Sequence, residues 1–113
     1  MRLKSGIWVS AYLRRCNGAG APAMLRRRGA EEAGAIFIKV DRLDGTVDLF
    51  SPAPQSAFDE AALSDRAFHH SMAGRPAADV EAYLARQIRF DPDIWIVEIE
   101  SRDGRHFLDS VVA

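Results

Sequence analysis

The chain is poor in the features that mark the commoner specialised classes of small protein. It has one cysteine, Cys16, so it cannot close an internal disulfide and reads as a protein of a reducing, cytoplasmic compartment. It has almost no charge imbalance. Fifteen Lys and Arg against 16 Asp and Glu leave a formal charge of −1, without the basic excess of a general nucleic-acid binder. No apolar run approaches the roughly 20 residues that span a bilayer. The segment IWVSAYL is cut short by Arg14 and Arg15, too early for a secretory signal. No glycine-rich phosphate loop, nucleophile elbow or Walker-type motif occurs. The histidines lack zinc spacing: His69 and His70 are adjacent, and on a strand they diverge, while His106 stands apart. Repeats, low-complexity tracts and interdomain linkers are also missing. No cofactor is implied.

What remains is an ordinary globular composition, 48% hydrophobic and 27% charged, which excludes global disorder. One domain over residues 1–113 is expected, large enough to fold without metals or disulfides. Residues 7–18 predict a helix with Ser5 as its N-cap and Gly18 and Gly20 at its end. Two hairpins are expected next. APAMLRRRG and AIFIKV read as strands joined through AEEAG, and AIFIKVDRL returns through Asp44-Gly45 into TVDLF. A two-residue turn there sets Val40 opposite Leu49. Ile36, Ile38, Val40, Val47 and Leu49 then share the core face, and Phe37, Lys39, Asp41, Asp48 and Phe50 the other.

Pro52 and Pro54 end that strand, and 57–63 reads as a helical turn or two. RAFHHSMA at 66–73 reads as a further strand. Pro76 opens a helix with an apolar stripe of Val80, Tyr83, Leu84 and Ile88, with Arg86 and Arg89 near its end and Pro92 stopping it. Asp91 and Asp93, flanking that proline, suit a tight turn held by backbone hydrogen bonds, with an ion-pair cluster to Arg86 or Arg89 as the alternative. The final unit reads as a hairpin about Asp103-Gly104 that pairs Glu100 with Phe107 and Glu98 with Asp109. The expected fold is α+β, a single-domain antiparallel sheet of about five to six strands with two helices, in the order α-β-β-β-β-α-β-β. Both helices are expected on one sheet face, leaving the other open.

The blocks GIWVSAYLRR, RRRGAEEAGAIFIKV and RQIRFDPDIWIVEIESRDGRHFL together resemble a small bacterial family known only as a domain of unknown function. The resemblance covers most of the chain and is weakest from Ser51 to Ala73. It implies a small α+β bacterial, cytoplasmic protein, and it brings no activity or catalytic residue with it.

Three groups of residues are candidate sites. Glu98, Glu100 and Asp109 on one strand face, roughly 5–7 Å apart, match the oxygen-ligand needs of Mg²⁺, Mn²⁺ or Ca²⁺. The competing reading is a solvated face neutralised by Arg102 and Arg105, and it is preferred because surface charges usually do nothing specific. Arg26, Arg27 and Arg28, with Arg14 and Arg15, match phosphate contacts, but strand alternation sends Arg27 away from the other two. A charged, protected edge strand is the preferred reading. Cys16 on the first helix reads as a packing residue rather than a nucleophile. The leading functional expectation is a non-enzymatic interaction domain that pairs with itself as a homodimer or with another protein. Phe37, Phe50 and Phe107 would be its anchors and Arg26 and Arg28 its rim. A small metal-dependent or phosphate-handling enzyme using Glu98, Glu100, Asp109 and Arg89 ranks second, and a weak nucleic-acid binder third.

Overall fold

Two apolar runs, in IFIKV and IWIV, are buried on both faces, the pattern of central strands that need cover on each side. The computed structural model describes residues 3–54 and 66–112; the helical turns expected over 57–63 lie outside them. Within the described residues the order is α1 (Ser5–Gly18), β1 (Ala23–Arg27), β2 (Ile36–Asp41), β3 (Thr46–Pro52), β4 (Phe68–Pro76), α2 (Ala77–Phe90), β5 (Trp95–Glu100) and β6 (Val111–Val112). The six strands lie in the order β1-β5-β2-β3-β4-β6. The expected α+β class, two helices and element order are all present. The sheet is mixed rather than antiparallel, because β5 runs parallel to β2 and β6 parallel to β4.

That arrangement corrects both outer hairpins. β1 pairs with β5, not β2, since β5 inserts between them with Leu25 opposite Val97 and Ile38 opposite Val97 on its other side. The Asp103-Gly104 hairpin does not form. Gly104 does turn the chain, at φ +71°, and its N–H donates to the Ser101 carbonyl, but residues 101–110 then leave β5 and return only as β6 on β4.

The Asp44-Gly45 hairpin exists in a different register. Lys39, not Val40, opposes Leu49, and Asp41 opposes Val47. Leu43 and Gly45 both take left-handed φ, +64° and +90°, so the connection is longer than a two-residue turn. A one-residue slip exchanges every side chain of one strand between faces. Ile36, Ile38 and Val40 therefore share their side with Phe50 and Asp48, and Phe37 and Lys39 share theirs with Val47 and Leu49.

The two faces carry one helix each, which corrects the expectation of a bare face. α1 lays Val9, Tyr12 and Cys16 on Ile36, Ile38, Val40, Phe50, Trp95, Val97 and Ile99. α2 lays Val80 and Leu84, with Tyr83 and Ile88 beside them, on Phe37, Val47, Leu49, Ile94 and Ile96. Ser5 is the first residue of α1 rather than its cap, and its buried hydroxyl donates to the Gly34 carbonyl at 2.7 Å. Asp91 performs the expected turn chemistry after α2, its carboxylate accepting the Asp93 N–H at 3.0 Å. The loop between β1 and β2 closes on that turn: a Cβ at Gly29 or Gly34 would collide with the Asp93 carbonyl, so both positions require glycine.

Candidate functional site

The residues expected to form sites are dispersed. Phe37 and Phe50 are buried, one in each core, and cannot anchor a partner at the surface. Phe107 is half-buried against the α1 core, with the Arg105 guanidinium 4.3 Å above its ring. Arg89 is exposed at the end of α2. Arg28 sits over the Trp95 ring at 5.5 Å and near Glu31. The β-bulge between Leu25 and Arg27 breaks the alternation expected of the arginine run. Arg26 and Arg27 consequently both face α2, where they border a cavity of about 220 Å³ floored by Leu84, Ala85, Ile88 and Ile96.

The three carboxylates do not converge. Asp109 binds Arg15 of α1 through both oxygens, at 3.1 and 3.3 Å. Glu98 lies on the α2 side, bonded to Arg26 at 2.5 Å and Lys39 at 2.9 Å. Glu100 shares that sheet face further along β5, its backbone N–H donating to Pro22. Glu81 of α2 completes a four-charge network, 2.7 Å from Lys39 and 3.0 Å from Arg26. Lys39, only 6% exposed, is held charged: burial opposes its protonation, but hydrogen bonds to Glu81 and Glu98 outweigh that and raise its pKa. The network is balanced, two cations on two anions, with Lys39 and Glu98 largely buried and Arg26 and Glu81 reaching the surface, so it is neutral rather than a ligand trap.

A second cluster, missed from the sequence because it depends on the hairpin register, lies on the α1 side. Asp48 is fully buried, accepting from Arg42 Nε at 2.8 Å and the Gly74 N–H at 2.7 Å, with His70 Nε2 3.2 Å away. These partners outweigh burial and hold its carboxyl below the usual carboxylate range. His70 stacks on Phe50 at 4.4 Å, and His106 meets the same ring edge-on at 4.9 Å. Beside His106 opens a cavity of about 460 Å³, lined by Arg15, Arg105, His106, Phe107 and Asp109. Among the described residues no set of three His, Cys, Asp or Glu could hold a metal ion. Cys16 is fully buried on the inner face of α1, where burial pushes its thiol up and away from nucleophile chemistry.

The sheet's two edges differ sharply in their chemistry. β1 is protected by its bulge, its arginines and Asn17, whose side chain bonds both the N–H and the carbonyl of Ala23. The outer edge of β4 past His69 is blunted by register shifts, by Gly74 at φ +56° and by Pro76. Among the described residues β6 has none of these devices, and its two-residue length alone limits it as a template. Val111 and Val112 are 38% and 45% exposed, carry no charge, and among the described residues pair on their β4 side alone, with Phe68 and His69.

The family model described as a protein of unknown function, DUF1491, matches residues 3–109. The crystal structure of a DUF1491 family protein from Caulobacter crescentus CB15 is 43% identical, covers 100% of both chains and superposes with a TM-score of 0.81. The solution structure of a protein from A. tumefaciens is 42% identical over 97% of this chain and 95% of that one, with a TM-score of 0.83. No curated protein matches the chain.

Proposed function

The chain belongs to the DUF1491 family of proteins of unknown function, and from that premise we propose that it is a non-enzymatic interaction domain that takes up a partner strand on β6. One observation carries this reading. The fold protects β1 with a bulge and charges, whereas β6, among the described residues, pairs on its β4 side alone and carries two exposed valines. An unprotected edge strand is a template for strand addition, in which main-chain hydrogen bonds supply affinity and alternate side chains specificity. The simplest partner is a second copy, with two β6 strands antiparallel about a twofold axis so that the same valines meet from both sides. The mutual pairing of Lys39, Glu98 and Glu81 and the burial of Phe37 and Phe50 leave this edge as the best-supported surface. The lone buried thiol fits a cytoplasmic setting, and no described helix is long and apolar enough to cross a membrane.

Sedimentation velocity checks the reading. The wild-type chain is expected to shift toward twice its 12.5 kDa mass as concentration rises, and Val111→Lys to remain a monomer with unchanged melting temperature. A wild-type monomer at every concentration, together with no protein retained on the immobilised chain, contradicts it.

A further inference from the structure

The segment that delivers β6 to the sheet is held by a hydrogen bond that only a neutral imidazole can make. His106 Nδ1 accepts the Leu108 N–H at 2.8 Å, so that nitrogen must be unprotonated, and the neutral ring carries its hydrogen on Nε2. Residues 101–110 contain no helix or strand, and they are clamped to α1 by a short series of contacts. Tyr12 donates its hydroxyl to the His106 carbonyl at 2.5 Å, and Arg15 donates to the Phe107 carbonyl at 2.9 Å and to Asp109. Phe107 itself sits at φ +60°, a left-handed conformation unfavourable for a bulky residue, so the segment is held against backbone strain. Two residues past Asp109 the chain becomes β6, and the Ser110 carbonyl accepts the Phe68 N–H at 3.0 Å.

We propose that residues 101–112 form a pH-operated latch: neutral His106 keeps the segment clamped and β6 docked on β4, and protonation of His106 releases both. A proton on Nδ1 removes the acceptor for Leu108 and points one donor at another. The groups around the ring do not welcome the new charge. From β4 it faces His70, itself beside Asp48, and from β3 the Phe50 ring; from α1, Tyr12 and the cationic Arg15 hold the His106 and Phe107 carbonyls. Arg42 packs on Gly104 of the same segment, and Arg105 is the adjacent residue. Asp48 is already committed to Arg42, His70 and the Gly74 N–H, and Asp109 to Arg15. Among the described residues no carboxylate lies within ion-pair distance of His106. Burial, and secondarily His70, hold its pKa below the ordinary value of 6.5. With a folded pKa depressed below the unfolded one, the clamp is complete above 6.5 and is lost as pH falls through the lower folded value.

This latch concerns the same edge as the proposed function but does not depend on a partner, so its test uses dilute, monomeric protein. Amide exchange at about pH 7.5 and about pH 5, corrected for intrinsic rates, should show about a tenfold loss of protection at Leu108 and Val112 relative to Ile38 and Val97. His106→Asn keeps an acceptor near the Nδ1 position and cannot titrate, and it should abolish the pH dependence. Protection that is unchanged with pH in the wild type, or lost equally in the asparagine variant, overturns the latch. Should that variant not fold, imidazole NMR of the wild type decides: the His106 ring and the Leu108 amide must titrate together, and separate midpoints overturn the proposal.

Discussion

Trp95→Ala is expected to lower the unfolding free energy by about 4 kcal/mol, a fall of roughly 20 °C in melting temperature for a domain of this size. The indole is 1% exposed in the α1 core, at the first residue of a central strand. Its loss opens a large cavity on the α1 face of the sheet, and the core can only partly collapse into it. It also strips the Ala30 carbonyl of the Nε1–H donor that reaches it at 2.7 Å, loosening the loop that Gly29 and Gly34 pack against Asp93. Trp95→Phe keeps most of the apolar volume and loses the hydrogen bond, so it should cost about 1–2 kcal/mol. Chemical denaturation of the two variants separates volume from hydrogen bonding; equal losses would contradict this division.

The second large effect concerns Lys39. Lys39→Met leaves Glu98, whose side chain is 12% exposed, and Glu81 with Arg26 as their single shared cation. The expected cost is about 3 kcal/mol, because the penalty of a buried charge is then uncompensated. Adding Glu98→Met should recover most of it, since Arg26 and Glu81 still balance and two apolar side chains fill the space. The pH dependence has a definite sign. Burial raises the Glu81 pKa, but hydrogen bonds to Lys39 and Arg26 more than reverse this and hold it below 4.5. A depressed carboxylate contributes stability above its unfolded value that is lost as pH falls through the folded one. The gap between wild type and Lys39→Met should therefore be full above about pH 5 and narrow in acid. A double variant as unstable as the single one, or a gap that widens in acid, would contradict the account.

These two residues also show what the sequence disclosed and what it withheld. The stripe of Val80, Leu84 and Ile88, the Pro92 stop and the Asp91 turn are set by neighbours within a few positions, so local patterning predicts them correctly. The partners of Trp95 and Lys39 are not local. β5 inserts between β1 and β2, which no hairpin signal encodes, and the parallel pairing arises across an intervening helix. One clue was present. Lys39 stands in the otherwise apolar run IFIKV, and Trp95 in the unbroken run IWIV, and such runs mark strands covered on both faces rather than one. Read that way, they call for a helix on each side and forbid an open face. The register of the Asp44-Gly45 hairpin was less accessible. It turns on Leu43 adopting a left-handed conformation, and that single residue moves Asp48 and Phe50 to the α1 side, where they create the cluster with His70 and His106. The bulge that joins Arg26 to Arg27 is equally silent in the sequence. Glu98, Glu100 and Asp109 form one group in the sequence pattern because the turn signal at Asp103-Gly104 predicts a hairpin. The turn is real; the return strand is not.

The open β6 edge is the central claim, and concentration-dependent sedimentation of the wild-type chain beside Val111→Lys tests it most directly. The account predicts reversible association of the wild type that the lysine abolishes without loss of fold. Equal association of both proteins would place the contact elsewhere on the surface and contradict it.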